Sequence, residues 1–303
     1  MYRRALAVLA TATVAACNSN SRPHATATVA SSTPTVTTPQ PAVVQPSPAP
    51  AQPVSFATAE STFKSKDYKK SADQFDSYAS THPTNPWGFY MLGLSAWRAG
   101  DLDRAQHAFE TALTLDPKHT KSLLNLSRVL LDENHPDVAL ARARDAVAID
   151  SQSPDAWRLI GRATSALGNV DTAVDAFRTA IALDPQDRWS MNDLGLLLIQ
   201  TGRYQEAIGP LAMAVQLDSM SPVFSNNLGI ALERSGHTLS AVTAYQQAIK
   251  NDSTYTKAQV SLDRVKAAPV QSDSDEVDLS AFRDAFTHEI QDWKSSHLVA
   301  TGE

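Results

Sequence analysis

The sequence has little of several things that would point to a defined chemistry, and cysteine is the scarcest. Of 303 residues only Cys17 is a cysteine, so a disulfide framework and a thiolate metal site are both excluded. Charge is also modest, because the net charge is −6 and the lysines and arginines form no basic stripe. Nucleic acid is therefore not expected as a partner, since phosphate backbones are bound by clustered basic residues.

Patterns of catalytic and metal-binding residues are missing as well. The eight histidines are scattered along the chain, and none stands in an HExxH or another paired-ligand spacing. No serine, cysteine or lysine lies in a recognisable nucleophile motif. We therefore predict that the protein is not an enzyme and that it holds neither a metal nor a cofactor.

The apolar stretch near the N-terminus is too short to span a bilayer. It runs from Ala5 to Ala16 and follows the basic pair Arg3 and Arg4, whereas a spanning helix needs about 20 apolar residues. A short basic start followed by a short apolar run is typical of a secretory signal peptide. The sequence thus predicts a signal peptide over residues 1–16.

The residues that end this stretch, Val14 to Cys17, resemble the lipobox of bacterial lipoproteins. That resemblance implies that Cys17 carries palmitate or a similar acyl chain and becomes the mature N-terminus. It also implies export and a lipid anchor in a bacterial membrane. Because Asn18 is not aspartate, the outer membrane is favoured by analogy with the sorting rule of enteric bacteria. Its periplasmic side is expected in preference to the cell surface. The alternative is an ordinary signal peptide with a coincidental cysteine.

The lipidated cysteine would be followed by a tether that extends to residue 53. Residues 18–53 contain eight prolines, many serines, threonines and alanines, and a single formal charge at Arg22. Such a segment buries too little apolar surface to offset the entropy of ordering it. We predict that residues 17–53 form a disordered tether.

A period of 34 residues organises the chain that follows. Gly161 has counterparts one, two or more periods away, and Ser127 fills the one slot without glycine. A second glycine column contains Gly168, with Asn134 filling its gap. Two alanine columns, one through Ala173, keep the same step. A fixed period of this length indicates an array of helical repeats.

The unit from Trp157 to Pro185 carries nearly every marker of the tetratricopeptide repeat (TPR), which the array resembles. The resemblance covers residues 52–255 as six units, of which the first is degenerate, with Lys66 in a glycine slot. It implies an all-α fold, a right-handed solenoid of helix-turn-helix units that ends in a cap helix. We place the solenoid at residues 54–268, with the cap helix included.

Stacked helix pairs bend so that their first helices line a concave face, the usual binding surface of such arrays. Transferring the family's groove positions to this chain gives an aromatic end, a basic centre and an asparagine-rich end. The predicted groove residues are Trp87, Tyr90, Trp97, Lys121, Asn125, Arg128, Arg158, Arg162, Asn192, Asn226 and Asn227.

The resemblance implies that this groove binds an extended peptide or a peptide C-terminus. Arg158 and Arg162 are four residues apart, so they share one helix face and can hold one acidic group. Asparagine amides suit an extended backbone, because each offers a donor and an acceptor. The two-carboxylate clamp of some family members has asparagine where this chain has Asp193. The alternative is a charged groove that is simply solvated.

The tail after the solenoid contains an acidic linker and one more helix. The linker is predicted over residues 269–277, and an amphipathic helix over 278–297, where Phe282, Phe286, Ile290 and others recur at steps of three and four. A lone helix of this length is marginal in water, so its apolar face should dock. We expect it over the cap or in the aromatic groove, with a partner's groove as the alternative.

These features together predict a membrane-anchored scaffold of the bacterial cell envelope, whose partner is a protein or peptide of that envelope. The layout is similar to that of the pilotin lipoproteins of type IV pili, so assembly of a pilus, a secretion system or an outer-membrane complex is the expected setting. The alternative function is a surface receptor that binds glycan or peptidoglycan fragments, because the groove tryptophans Trp87, Trp97 and Trp189 could stack on sugars.

Overall fold

The computed structural model describes residues 54–267 and 276–298, and these contain fourteen α-helices and no strand. The predicted all-α class is therefore confirmed, and so is the helix-turn-helix solenoid. The helices are α1 (Phe56–Lys64), α2 (Tyr68–Thr81), α3 (Pro86–Ala99), α4 (Leu102–Leu115), α5 (Thr120–Asp132), α6 (Pro136–Ile149), α7 (Pro154–Ala166), α8 (Val170–Leu183), α9 (Arg188–Gln200), α10 (Tyr204–Leu217), α11 (Pro222–Arg234), α12 (Thr238–Asn251), α13 (Thr256–Ala267) and α14 (Leu279–His297).

The turn inside each helix pair depends on one residue with a positive φ. Four of the six turns use glycine, as at Gly168 with φ of 80°. The two exceptions are Lys66 with φ of 66° and Asn134 with φ of 61°. Asparagine tolerates this left-handed conformation better than other non-glycine residues, whereas lysine is more strained there. The second glycine column is thus a column of turn residues.

The first glycine column lets the two helices of a unit approach closely. A Cβ atom at Gly161 would lie 2.6 Å from the ring of Phe177 on the second helix of the same unit. Gly93 with Phe109 and Gly229 with Tyr245 repeat this arrangement. In the third unit, Ser127 stands in the glycine column, but the residue sixteen positions later is Ala143 instead of a large one. The added hydroxymethyl group is therefore matched by a smaller neighbour.

The contacts between helices show which way the array curves. Each first helix contacts the first helix of the next unit, from α1 with α3 to α11 with α13. In the described part of the chain, the backbone of no second helix comes as close to that of the next second helix. The first helices are therefore closer together than the second helices. This places α1, α3, α5, α7, α9, α11 and α13 on the concave side and the second helices on the convex side.

The hydrophobic core consists of two large clusters that meet in the fourth unit. One runs from Ala59 to Ala176 and the other from Ala173 to Ile290. The second cluster includes residues of α14, which lies on α8 and α10. The C-terminal helix therefore docks on its own solenoid, but on the convex side and not over the cap or in the aromatic groove.

The docked position of α14 follows from its apolar face and from one glycine. Phe286 and Ile290 are buried against the array, and Gly209 of α10 lets the backbone of α14 approach, since a Cβ there would lie 2.8 Å from Cβ of Phe286. On the other flanking helix, α8, the Arg178 guanidinium donates to the Glu289 carboxylate of α14. α14 thus lies in the groove between α8 and α10.

Candidate partner-binding surface

The concave face begins with a set of ring contacts that we call the aromatic patch: Trp87, Tyr90, His119 and Lys121. The Trp87 ring stands edge-on to His119, with ring centroids 4.7 Å apart, and the Lys121 ammonium lies 5.1 Å from the Trp87 centroid. Burial lowers the pKa of His119, so the neutral ring packs against Tyr90 at 5.2 Å. Trp87 is nevertheless 45% exposed, which leaves an aromatic surface open to a ligand.

Asn125 joins the aromatic patch to the basic centre. Its amide nitrogen donates to the Lys121 carbonyl at 3.0 Å and approaches the Tyr90 hydroxyl at 3.5 Å. Its amide oxygen accepts from the Arg128 guanidinium at 2.9 Å. Both ends of the amide are used inside the protein, and the side chain is buried. Asn125 therefore orients Arg128.

Arg128 and Arg158 share one carboxylate, that of Asp155. The two guanidinium groups lie 3.0 and 2.9 Å from the same oxygen of Asp155. Burial alone would raise the pKa of Asp155, but the two arginines outweigh it and hold that pKa below its ordinary value. Asp155 stands at the start of α7. It bridges an arginine of the third unit to one of the fourth.

Arg158 has two further acidic neighbours. A carboxylate oxygen of Asp187 lies 4.0 Å from Nε of Arg158, and a carboxylate oxygen of Asp193 lies 3.9 Å from Nη1 of Arg158. Burial raises the pKa of Asp193 although Arg158 and Arg162 act in the opposite direction. Arg158 is thus largely satisfied within the protein. It is not a free half of an arginine pair.

Arg162 differs from the two other arginines of this centre. Its charge is felt at both Arg128 and Asp193, so it belongs to the same cluster. Within the described residues, however, no side chain or carbonyl forms a hydrogen bond or an ion pair with its guanidinium. Arg162 is the guanidinium in this cluster that is left to meet an external acceptor.

The amide chain formed by Asn192, Asn226 and Asn227 continues the concave face. Asn227 donates to Asn192 at 2.8 Å, and Asn226 donates to Asn227 at 3.4 Å. All three side chains are buried. Asn192 in turn donates to Asp193 at 3.4 Å, which links the amides to the arginines. Beside them Trp189 is 47% exposed and stands edge-on to Phe224.

Contacts within and between units connect the predicted groove residues from Trp87 to Asn226, except Trp97 and Arg162. Trp97 lies at the other end of α3, where its indole nitrogen donates to Asp132 at 2.9 Å. Sequence reasoning missed Asp155 and Asp187. The three-residue spacing of Asp155 and Arg158 on one helix was the signal that could have identified the first of them.

Two further properties of the described residues bear on function. No group of three or more histidine, cysteine, aspartate or glutamate side chains there has the proximity needed to hold a metal ion. None of the described helices is both long and apolar enough to cross a membrane. The predicted signal peptide, Cys17 and the predicted tether lie outside the described residues.

Comparison with known proteins places the chain among repeat proteins. A family model described as the Cilia and flagella-associated protein 70 C-terminal domain matches residues 40–297. The chain is 32% identical over 91 residues to tetratricopeptide repeat protein 7B of Homo sapiens, and 34% identical over 85 residues to Protein NPGR2 of Arabidopsis thaliana. These alignments cover 30% and 27% of the chain but only 11% and 12% of the two relatives.

Solved structures show the same fold at low sequence identity. PilW, a widely conserved type IV pilus biogenesis factor, superposes with a TM-score of 0.62 at 17% identity, covering 68% of this chain and 96% of PilW. A thermophilic TPR protein of Thermus thermophilus superposes with a TM-score of 0.53 at 20% identity, covering 60% of this chain and 100% of that protein. At such identities the likeness shows the fold alone.

Proposed function

The chain belongs to the family of the Cilia and flagella-associated protein 70 C-terminal domain, and from that premise we propose that it is a protein–protein interaction scaffold whose concave face binds a peptide segment of a partner. Arrays of this kind present an extended concave surface for that purpose. The proposal concerns binding only, and no step of it requires a reaction.

The observation that carries this proposal is that the Arg162 guanidinium is unpaired among the described residues. Its guanidinium has no direct partner among the described side chains, although three carboxylates neutralise its neighbours. Exposed Trp87 stands two units before Arg162, and exposed Trp189 stands in the unit after it. A segment that lies along the concave face would place an acidic group at Arg162 and apolar groups on the two tryptophans.

The buried asparagines have a different role in this proposal. Because Asn192, Asn226 and Asn227 bond to one another, we assign them to the floor of the surface and not to direct capture of a peptide backbone. Asn125 serves in the same way at the other end, since it holds Arg128. The specific contacts are then made by Arg162 and the two tryptophans.

A pull-down from membranes with the mature protein tests the proposal. Arg162→Glu should abolish capture of the partner, because it turns the free cation into an anion. Arg144→Glu is the matched control, since Arg144 is an exposed arginine of α6 on the convex side. Equal capture by both variants would count against the concave face.

The cellular setting is proposed from the N-terminal sequence. We propose that Cys17 is acylated and that the protein is exported and anchored on the periplasmic side of a bacterial outer membrane, where it assists assembly of a pilus, a secretion system or an outer-membrane complex. The supporting feature is a lone cysteine directly after a short apolar run. Labelled palmitate should enter the wild type and not Cys17→Ser, and labelling of both would rule out this site.

A second function has one observation in its favour, the exposure of Trp87 and Trp189. Exposed tryptophan faces can stack on sugars, so a glycan or peptidoglycan fragment is the alternative ligand. Trp97 fits this alternative less well, because its indole is bonded to Asp132. Binding to purified cell-wall material that is lost in Trp87→Ala and retained in Arg162→Glu would favour the glycan.

A further inference from the structure

The convex side carries grooves between consecutive second helices, and the chain covers two of them with its own C-terminal segment. The groove between α8 and α10 is lined by Ile181, Pro185 and Met191 and receives Phe286 and Ile290 of α14. The next groove, between α10 and α12, is covered by Glu276, Val277 and Leu279, where the Val277 amide donates to Ser240 at 2.9 Å. Each of these grooves therefore holds a segment of the chain, and we call a groove of this kind a seat.

A third groove of the same kind lies between α4 and α6. Its lining residues Leu113, Pro117 and Leu123 stand two repeat lengths before Ile181, Pro185 and Met191. Ile149, which also lines it, is 41% exposed. No helix in the described part of the chain lies over it, whereas α14 lies over its counterpart. The two grooves thus share three apolar lining positions, whereas Asp145 of the open groove stands where the occupied groove has Met213.

The side chains around the two seats show which helix the third groove suits. In the occupied seat Trp293 donates to Thr179 at 3.4 Å, and the equivalent residue at the open groove is again a threonine, Thr111. The charge is reversed one residue before, where Glu110 stands in place of Arg178. Because Arg178 pairs with Glu289 of α14, a helix suited to the third groove needs a basic residue at that position.

One further difference affects how deeply such a helix can sit. Gly209, which meets Phe286, is replaced by Ala141 at the open groove. A Cβ atom at Gly209 would lie 2.8 Å from Cβ of Phe286. A helix in the third groove must therefore lie farther from the array than α14 does.

We propose that the α4–α6 groove is a second interaction surface, which binds an amphipathic helix of a partner protein. The helix carries apolar residues at positions i, i+4 and i+7, as α14 does with Phe286, Ile290 and Trp293, and it carries lysine or arginine at i+3, where α14 has Glu289. Helix-in-groove binding of this kind is recognised through such anchor spacings. The surface is separate from the concave face.

A designed peptide provides the probe, because the partner is unidentified. A fluorescent peptide of residues 276–298 with Glu289→Lys is titrated onto the full chain. We expect saturable binding that weakens at least about tenfold in Glu110→Lys, a loss of about 1.4 kcal/mol. The same Glu110→Lys chain should gain affinity for the unaltered peptide, which keeps Glu289. This exchange of preference is the signature of a charge pair at Glu110.

A matched pair of variants separates the open groove from the seat of α14. Ile149→Asp should abolish binding of the peptide, and Leu217→Asp, two repeat lengths later and similarly exposed at 37% against 41%, should leave it unchanged. The reverse result would mean that the peptide exchanges with α14, and it would overturn the proposal, as would the absence of binding. A photo-crosslinking residue at position 149 that joins the full chain to itself or to a second copy would overturn it too.

Discussion

The first three units and the last three share a repeat but are stabilised differently. In the first half the clusters are formed by the helix pairs alone, and the convex side is tied by Arg104, which donates to Asp73 and Asp76 of the preceding unit. In the second half, α14 adds its own apolar face to the core. The same repeat pattern therefore forms both an array held together by its helix pairs alone and an array against which a further helix is packed.

The two halves also differ on the concave side. The first half presents the aromatic patch, in which Trp87 is exposed, and the second presents a chain of buried amides beside the exposed Trp189. Between them lies the charged centre, in which Asp155 joins Arg128 of one half to Arg158 of the other. Each half is therefore a distinct surface, and the centre is where the two are coupled.

The largest effect is expected where the two hydrophobic clusters meet. Phe177→Ala removes a ring that is 1% exposed, and we expect a loss of about 3–5 kcal/mol in the free energy of unfolding. The halves should then unfold in two separate transitions, because the interface between units is what makes an array cooperative. Urea unfolding followed by circular dichroism measures this. A single transition at an unchanged midpoint would contradict it, and Leu115→Ala, at an exposed position, is the control.

A smaller loss of stability is expected when the packing of α14 against α8 and α10 is weakened. Phe286→Ala should cost about 2–3 kcal/mol, less than a deep core phenylalanine, because the relaxed helix can settle into the space. Hydrogen exchange should rise in α14, α8 and α10 and stay unchanged in α2 and α4, since α14 packs only against the second half. Exchange that rises equally in both halves would show that the distinction does not hold. Ser296→Ala, on the exposed side of α14, controls for substitution in that helix.

The charged centre should respond to pH in two opposite ways. The pKa of Asp155 is lowered in the folded state, so its ionised form stabilises the fold at neutral pH and this contribution disappears as the pH falls through the folded pKa. The pKa of Asp193 is raised, so its contribution is present at low pH and is lost as the pH rises through the folded pKa. The two carboxylates therefore give opposite slopes.

Two matched variants separate these slopes. At pH 7 Asp155→Asn should be less stable than the wild type, and Asp193→Asn should be at least as stable. Both differences should shrink in acid, where the wild-type carboxyls are protonated as well. Urea unfolding at several pH values provides the measurement. A loss of stability in Asp193→Asn at pH 7 as large as that in Asp155→Asn would show that the buried carboxylate is simply a second bridge.

The smallest loss of stability is expected from breaking the ion pairs of Arg104 in the first half. Arg104→Gln removes ion pairs at 2.8 and 3.0 Å to two exposed carboxylates, and we expect a loss of at most about 1 kcal/mol. The loss should vanish at high salt, because exposed ion pairs are screened. A loss of the same size in 1 M salt would point to packing of the arginine stem instead. Arg142→Gln, which breaks a pair within one helix, is the matched control.

Much of the fold could be predicted because its determinants repeat. Gly161 and Gly168 recur with a fixed period, and each recurrence has a local cause, close helix packing in one column and a positive φ in the other. The match between Ser127 and Ala143 could also have been found in the sequence, since it needs only the sixteen-residue spacing within a unit.

The site was less predictable, because periodicity gives positions and not partners. Arg158 was expected to be free for a ligand, yet its charge is met by Asp155, Asp187 and Asp193, and the last two stand at the start of α9 and within α9. The seat of α14 was missed for a related reason. The apolar face of that helix is visible in the sequence, but the groove on the convex side and the opening at Gly209 appear only when the units are stacked.

The most direct test of the account measures the affinity of the captured partner segment for two arginine variants by calorimetry. If the concave face is the binding surface, Arg162→Glu abolishes binding and Arg144→Glu, on the convex side, leaves the dissociation constant unchanged. Both variants change the charge by the same amount, so a general electrostatic effect would weaken both alike. Equal affinities for the two variants would contradict the claim that the concave face is the binding surface.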